Sequence, residues 1–182
     1  RELNAVIAKS PNEEFQDDAL FHIAASYYNL KEFSQAIAFY TRIIKTVKDR
    51  ELLWRSMHQR AWAYYNSGKE KEAINDFNEF IARFPKSPIV SDTQFWLGQY
   101  YLQNSKYNKA RVYFQAIVKS SNPQDELLDD ALFQLGICFI KSANKDLAIK
   151  QFRLLKKDFP KSDFIPETML KVAEILIEQG KP

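Results

Sequence analysis

Apolar side chains recur at intervals of three and four along most of the chain, and short polar breaks separate the stretches that carry this spacing. That spacing gathers the apolar residues on one face of an α-helix. It predicts helices over 16–29, 33–46, 52–67, 70–83, 90–104, 107–120, 127–142 and 145–158. The short breaks hold turn formers: Asn29, Asn66-Ser67-Gly68, Asn104-Ser105 and Ser142-Ala143-Asn144. The longer breaks hold proline: Phe84-Pro85-Lys86-Ser87-Pro88, Asn122-Pro123 and Phe159-Pro160-Lys161-Ser162.

The helices come in copies. Asp-Asp-Ala-Leu-Phe stands at 17–21 and again at 129–133, 112 residues on. Downstream of each lie a small residue (Ala24, Gly136), an aromatic (Tyr27, Phe139), an alanine (Ala36, Ala148) and an aromatic (Tyr40, Phe152) at identical offsets. Two further copies lie between, with Ala61, Tyr64, Ala73 and Phe77, then Gly98, Tyr101, Ala110 and Phe114. The alanines step by 37, 37 and 38 residues, so the doubled pentapeptide is one structural part read in the first copy and again in the fourth.

The small residues have a packing role. Two antiparallel helices stay about 9–10 Å apart when a large residue sits at their crossing. Alanine or glycine there lets the partner's alanine approach while aromatics fill the flanks. One helix pair cannot bury both its faces, so pairs stack into a solenoid.

Leu97-Gly98-x2-Tyr101 with Ala110-x3-Phe114, and Leu135-Gly136-x2-Phe139 with Ala148-x3-Phe152 and Pro160, resemble the tetratricopeptide repeat (TPR) signature. The resemblance implies an all-α, right-handed α-α superhelix of four repeats of 37–38 residues flanked by half-repeats. It implies a single array over 1–182, with repeats at 16–48, 52–86, 90–123 and 127–161. Residues 1–11 are expected to be the tail of a preceding repeat, and 166–180 the opening helix of a fifth repeat or a cap. The chain departs from the signature at the turn between the helices of a repeat. Glycine stands there once, at Gly68, against Lys31, Ser105 and Ala143 in the other copies.

Composition narrows the chemistry. With 46% apolar and 27% charged residues the 182-residue chain is globular in balance. A net charge of +3 with interspersed signs offers no stripe for nucleic acid, and no apolar run reaches the roughly 20 residues a membrane span needs. Asp17, Asp18, Asp129 and Asp130 are read as helix-start residues that favour the positive end of the helix dipole. His22 and His58 are the two histidines, 36 residues apart with no ligand at metal spacing, so no metal or other cofactor is expected. Cys138 lies in an apolar stretch and is read as a buried, inert thiol. A phosphate loop, a nucleophile elbow and a zinc-protease helix are all missing from the sequence, so catalysis is not expected.

What remains is the face that does not pack helix on helix. In TPR arrays the first helices of successive repeats line a concave groove. By register His22, Tyr28 and Asn29, then His58, Trp62, Tyr65 and Asn66, then Trp96, Gln99 and Gln103 fall on it. Asn29, Asn66 and Gln103 hold equivalent positions, which predicts a ladder of amides able to bond a peptide backbone beside flat aromatic anchors. The competing reading buries some of these aromatics under adjacent helices, or fills the groove with the fifth helix. Chaperone-binding TPRs clamp a terminal carboxylate on this face, and Phe21 and Ala25 stand where that clamp's first Lys and Asn belong.

The Phe-Pro-Lys-Ser turns at 84–87 and 159–162 resemble those of a bacterial envelope subgroup of TPR proteins. That subgroup includes the outer-membrane assembly lipoprotein BamD and the Tol-Pal-associated protein YbgF (CpoB). The resemblance implies a periplasmic scaffold, at or near the outer membrane, that binds protein or peptide partners, leaves nucleic acid alone and does not itself insert into the membrane. Two alternatives stay open: the recognition arm of a larger enzyme or sensor, and a cytoplasmic peptide-sensing regulator.

Overall fold

The computed structural model describes residues 13–120 and 126–180. The expected repeat tail at 1–11 and the Asn122-Pro123 break lie outside the described residues. Among these residues the secondary structure is helical: α1 (Glu13–Asn29), α2 (Phe33–Thr46), α3 (Arg50–Asn66), α4 (Glu70–Arg83), α5 (Val90–Gln103), α6 (Tyr107–Val118), α7 (Leu128–Lys141), α8 (Lys145–Asp158) and α9 (Ile165–Glu178). The periodicity placed α2, α4 and α8 to the residue. The first helices of the first two pairs start earlier than it indicated. At α3 the reason is a cap: Asp49 accepts the Leu52 N–H at 2.6 Å, which starts the helix two residues sooner. Asp17 and Asp18 therefore fall in the second turn of α1, whereas Asp129 and Asp130 do occupy the first turn of α7.

Each of the four hairpins turns the same way. Lys31, Gly68, Ser105 and Ala143 have φ of 61°, 78°, 56° and 58°. The Lys31 N–H donates to the Tyr28 carbonyl and the Glu32 N–H to that of Tyr27, both at 2.9 Å, and the same two bonds recur in the other three turns. This is a Schellman end, which needs one residue in the left-handed region. Three of the four turns place a residue with a Cβ there.

The chain divides into two compact units, one ending at Ser87 and one starting at Pro88. In the first, α1/α2 and α3/α4 are antiparallel hairpins and α2 packs on α3. Its core joins Leu20, Phe21 and Ala24 of α1 to Ala36, Tyr40 and Ile43 of α2 and to Leu52 and Ala63 of α3. In the second, α5/α6 and α7/α8 pair, α6 packs on α7, and α9 packs on α8. Leu97, Phe114, Ile117, Leu135, Phe152 and Leu155 are its buried centre.

The crossing differs from the expectation in one respect. A Cβ built on Gly98 would stand 2.6 Å from Cε1 and 2.7 Å from Cζ of Phe114, and Gly136 meets Phe152 in the same way. The glycines make room for the aromatic of the second helix, so the ring fills the crossing and not its flank. A polar pair also locks α3 to α4: Arg60 Nε and Nη2 donate to Asp76 at 2.6 and 2.9 Å, and Nη1 reaches Thr41 of α2 at 3.2 Å.

Candidate functional site

Alpha-helical spacing gives α3 two unlike faces. Arg60 and Tyr64 point to the ion pair with Asp76, the Arg60 guanidinium lying 5.9 Å from the Tyr64 ring centroid. Residues 54, 58, 62 and 65 form the other face, because positions four apart stack along a helix. Trp54 tilts against Phe80 of α4 at 6.2 Å. His58 meets Phe77 at 5.6 Å and Phe80 at 5.5 Å. The Trp62 indole sits edge-on to Phe77 at 5.3 Å and to Tyr65 at 6.0 Å. The result is a half-buried aromatic stripe with no charged side chain within it.

His58 is the hinge of the stripe. Its Nε2 accepts the Trp62 indole N–H at 3.2 Å, which assigns the ring proton to Nδ1 and orients the indole. Burial among the rings lowers its pKa to about 4, so the imidazole is neutral at physiological pH.

The end of the stripe is tied to α1. The Asn66 amide donates to the Tyr28 hydroxyl at 2.7 Å. Burial raises the Tyr28 pKa, and the Asn66 bond works against that rise. The expected ladder is thus altered at its centre, where one amide hydrogen already holds α1 against α3. Asn29 is exposed beside this bond. His22 is exposed too, with its ring edge-on to its neighbour Phe21 at 6.1 Å. The Arg55 guanidinium lies over the Phe21 ring, 4.7 Å from its centroid.

In the second unit, Trp96 of α5 stacks on Tyr100 at 5.7 Å with the planes 21° apart. Gln99 is half-buried and Gln103 exposed on the same helix. Sequence reasoning passed over Trp54 and Tyr100. The signal was present: each lies four residues from a residue it did select, His58 and Trp96.

The remaining candidates for chemistry are spent on structure. Cys138 is buried, and burial pushes its thiol up to about 12, with Arg111 opposing the rise. Burial, then Asp129, raises the Asp130 pKa. Among the described residues no three His, Cys, Asp or Glu side chains converge on a metal-sized site, and no helix is long and apolar enough to cross a membrane. The stripe itself offers flat rings and a neighbouring amide, groups that can hold a polypeptide.

Two family profiles, both described as tetratricopeptide repeat, match the chain, one at residues 58–126 and the other at 18–49 and 130–162. Among curated proteins, the outer membrane protein assembly factor BamD of Neisseria meningitidis is 22% identical over 142 residues. That match takes in 70% of this chain and 53% of BamD, so the chain spans about half the length of the curated relative it matches. Among solved structures, a tetratricopeptide repeat protein from Parabacteroides merdae superposes with a TM-score of 0.61 at 21% identity, covering 98% of this chain and 65% of that one. MamA superposes with a TM-score of 0.59 at 16% identity, covering 87% and 85%. At these identities the structures speak for the fold alone. Fold, register and profiles agree, and the chain belongs to the tetratricopeptide repeat family, an all-α solenoid family of protein-binding scaffolds.

Proposed function

We propose that this protein is a non-catalytic scaffold of the bacterial cell envelope, working in the periplasm or at the periplasmic face of the outer membrane. It binds a polypeptide segment along the first-helix face. The observation that carries the reading is the uncharged aromatic stripe of α3, oriented from within by the His58–Trp62 hydrogen bond and anchored to α1 by Asn66. A preorganised set of rings loses little side-chain entropy on binding, which is why such residues dominate interface energetics. Asn29 of α1 adds a backbone-bonding amide at the register position of Asn66. The envelope assignment rests on the Phe-Pro-Lys-Ser turns and is supported by the BamD match.

The test is site-specific crosslinking in native cells. A photoreactive phenylalanine analogue replaces Tyr65 in the full-length protein, and the same group at exposed Val112 of α6 serves as the comparison. The proposal expects an envelope protein captured from position 65 and absent from 112. Capture of cytoplasmic proteins would remove the compartment. The same products from both positions would remove the stripe.

A further inference from the structure

The second unit turns a surface of one sign outward. α8 carries five basic side chains and two acidic ones, a surplus equal to the net +3 of the whole chain. α6 carries Lys109 and Arg111 with no acidic residue, and Lys119 follows at its C-cap. Signs that alternate along most of the sequence segregate here. Helical spacing puts Lys150, Arg153 and Lys157 on one side of α8, opposite buried Ala148, Phe152 and Leu155. Register sets Val112 and Lys119 of α6 at the positions of Lys150 and Lys157, so both helices turn the same side outward. Val112 is 62% accessible and Leu147 44%, which stands apolar side chains among the charges.

The unit does little to neutralise this side. Among the described residues neither Lys150 nor Arg153 has an acidic partner, and Lys157 reaches only its neighbour Asp158, at 4.0 Å. Asp146 accepts from Gln179 of α9 at 3.1 Å and Lys145 pairs with Glu178, so the charges at the start of α8 are tied to α9. The open side of α8 is a property of second helices in this unit. α6 is followed by α7 and α8, yet its outer side is open in the same way, because α6 and α8 pack on first helices.

The cations are long, flexible and spread over two helices. That suits anions free to rearrange laterally, as lipid headgroups are, better than a fixed array of acidic side chains or phosphates. Val112 and Leu147 suit the same surface, since apolar side chains can enter the headgroup layer. We propose that the outer side of α6 and α8, through Lys109, Lys119, Lys150, Arg153 and Lys157, docks on an anionic phospholipid surface without crossing it. This surface is separate from the aromatic stripe of α3, so the two proposals stand or fall independently.

The test sediments the 182-residue protein with lipid vesicles. Phosphatidylglycerol mixed into phosphatidylcholine is the anionic surface, and phosphatidylcholine alone is the neutral one. Binding to the anionic vesicles is expected, weakened by added salt. Each basic group near such a surface strengthens binding by about fivefold, so Lys150→Gln, Arg153→Gln and Lys157→Gln together weaken it by about a hundredfold. All three positions are exposed, so this variant keeps its circular dichroism. Lys45→Gln, Lys48→Gln and Lys71→Gln together remove the same charge from exposed positions of the first unit and leave binding unchanged. Absence of binding, equal binding to neutral vesicles, or equal weakening by the two triple variants overturns the proposal. So does tighter binding, charge for charge, to soluble polyglutamate or duplex DNA than to the vesicles, since an acidic protein or a nucleic acid would then be the occupant.

Discussion

Gly98→Ala sets two effects of known sign against each other. Ala in place of Gly within a helix stabilises by about 0.5–1 kcal/mol, because the unfolded chain loses freedom. Against this, the new methyl would stand 2.6 Å from Cε1 of Phe114. Carbon atoms rest at about 3.5–4.0 Å, so the ring must retreat by about 1 Å. Phe114 is fully buried and meets Phe95 edge-on at 5.6 Å, which leaves it little room to yield. Overpacking of this kind costs about 1–3 kcal/mol, so it wins and leaves a net loss of about 1–2 kcal/mol. For a chain of this size that lowers the melting temperature by about 3–6 °C. The assay is thermal and urea denaturation followed by far-ultraviolet circular dichroism. Phe114→Leu in the Gly98→Ala background removes the collision, so the double variant should be less destabilised than the sum of the singles by about 1 kcal/mol. A Gly98→Ala protein as stable as the parent, or singles that simply add, would refute the claim that the glycine exists to seat the ring.

Other outcomes follow from the turns, the buried polar groups and His58. Ala143→Gly and Lys31→Gly each relieve a left-handed residue and should raise stability by about 0.5–1 kcal/mol, whereas Gly68→Ala should lower it by about 1 kcal/mol, read as midpoint shifts in urea. His58 binds its proton at about pH 4 when folded against 6.5 when unfolded. The unfolded chain therefore takes the proton first, and stability intact above pH 6.5 falls by about 3 kcal/mol as the pH drops towards 4. Melting curves of the parent should show that slope, and His58→Phe should lessen it. Arg60→Ala leaves Asp76 buried and unpaired and should cost about 3 kcal/mol, most of it recovered when Asp76→Leu is added. Thr168 buries its hydroxyl without a hydrogen-bond partner, so Thr168→Val should raise the melting temperature, the gain being about 1 kcal/mol.

The sequence carried the fold because local and global signals coincide in this chain. A period near 3.6, turn formers at the breaks and a fixed step of 37–38 residues all specify stacked helix pairs. Even the strained turns were legible, since Lys31, Ser105 and Ala143 stand at the register of Gly68. The identity of contacting atoms was less so. Spacing located Gly98 and Gly136 at the crossing but could not say whether an alanine or a ring would lie over them. The Tyr28–Asn66 bond joins residues 38 apart through a rotamer choice that no periodicity encodes. Register set His58 on the groove face of its helix, yet Phe77 and Phe80 from α4 reach around it and make it the support of Trp62. Trp54 is not marked by the repeat register, because the stripe follows the four-residue spacing within one helix.

The measurement that tests the central claim most directly is the affinity of the partner captured at position 65 for the full-length protein and for the double variant Trp62→Ala, Tyr65→Ala. Circular dichroism of the variant confirms that the helices remain. Two aromatic anchors at a binding face should together contribute about 2–4 kcal/mol, so the account predicts a dissociation constant weaker by about thirtyfold to a thousandfold. An unchanged dissociation constant, with the helices intact, would contradict it.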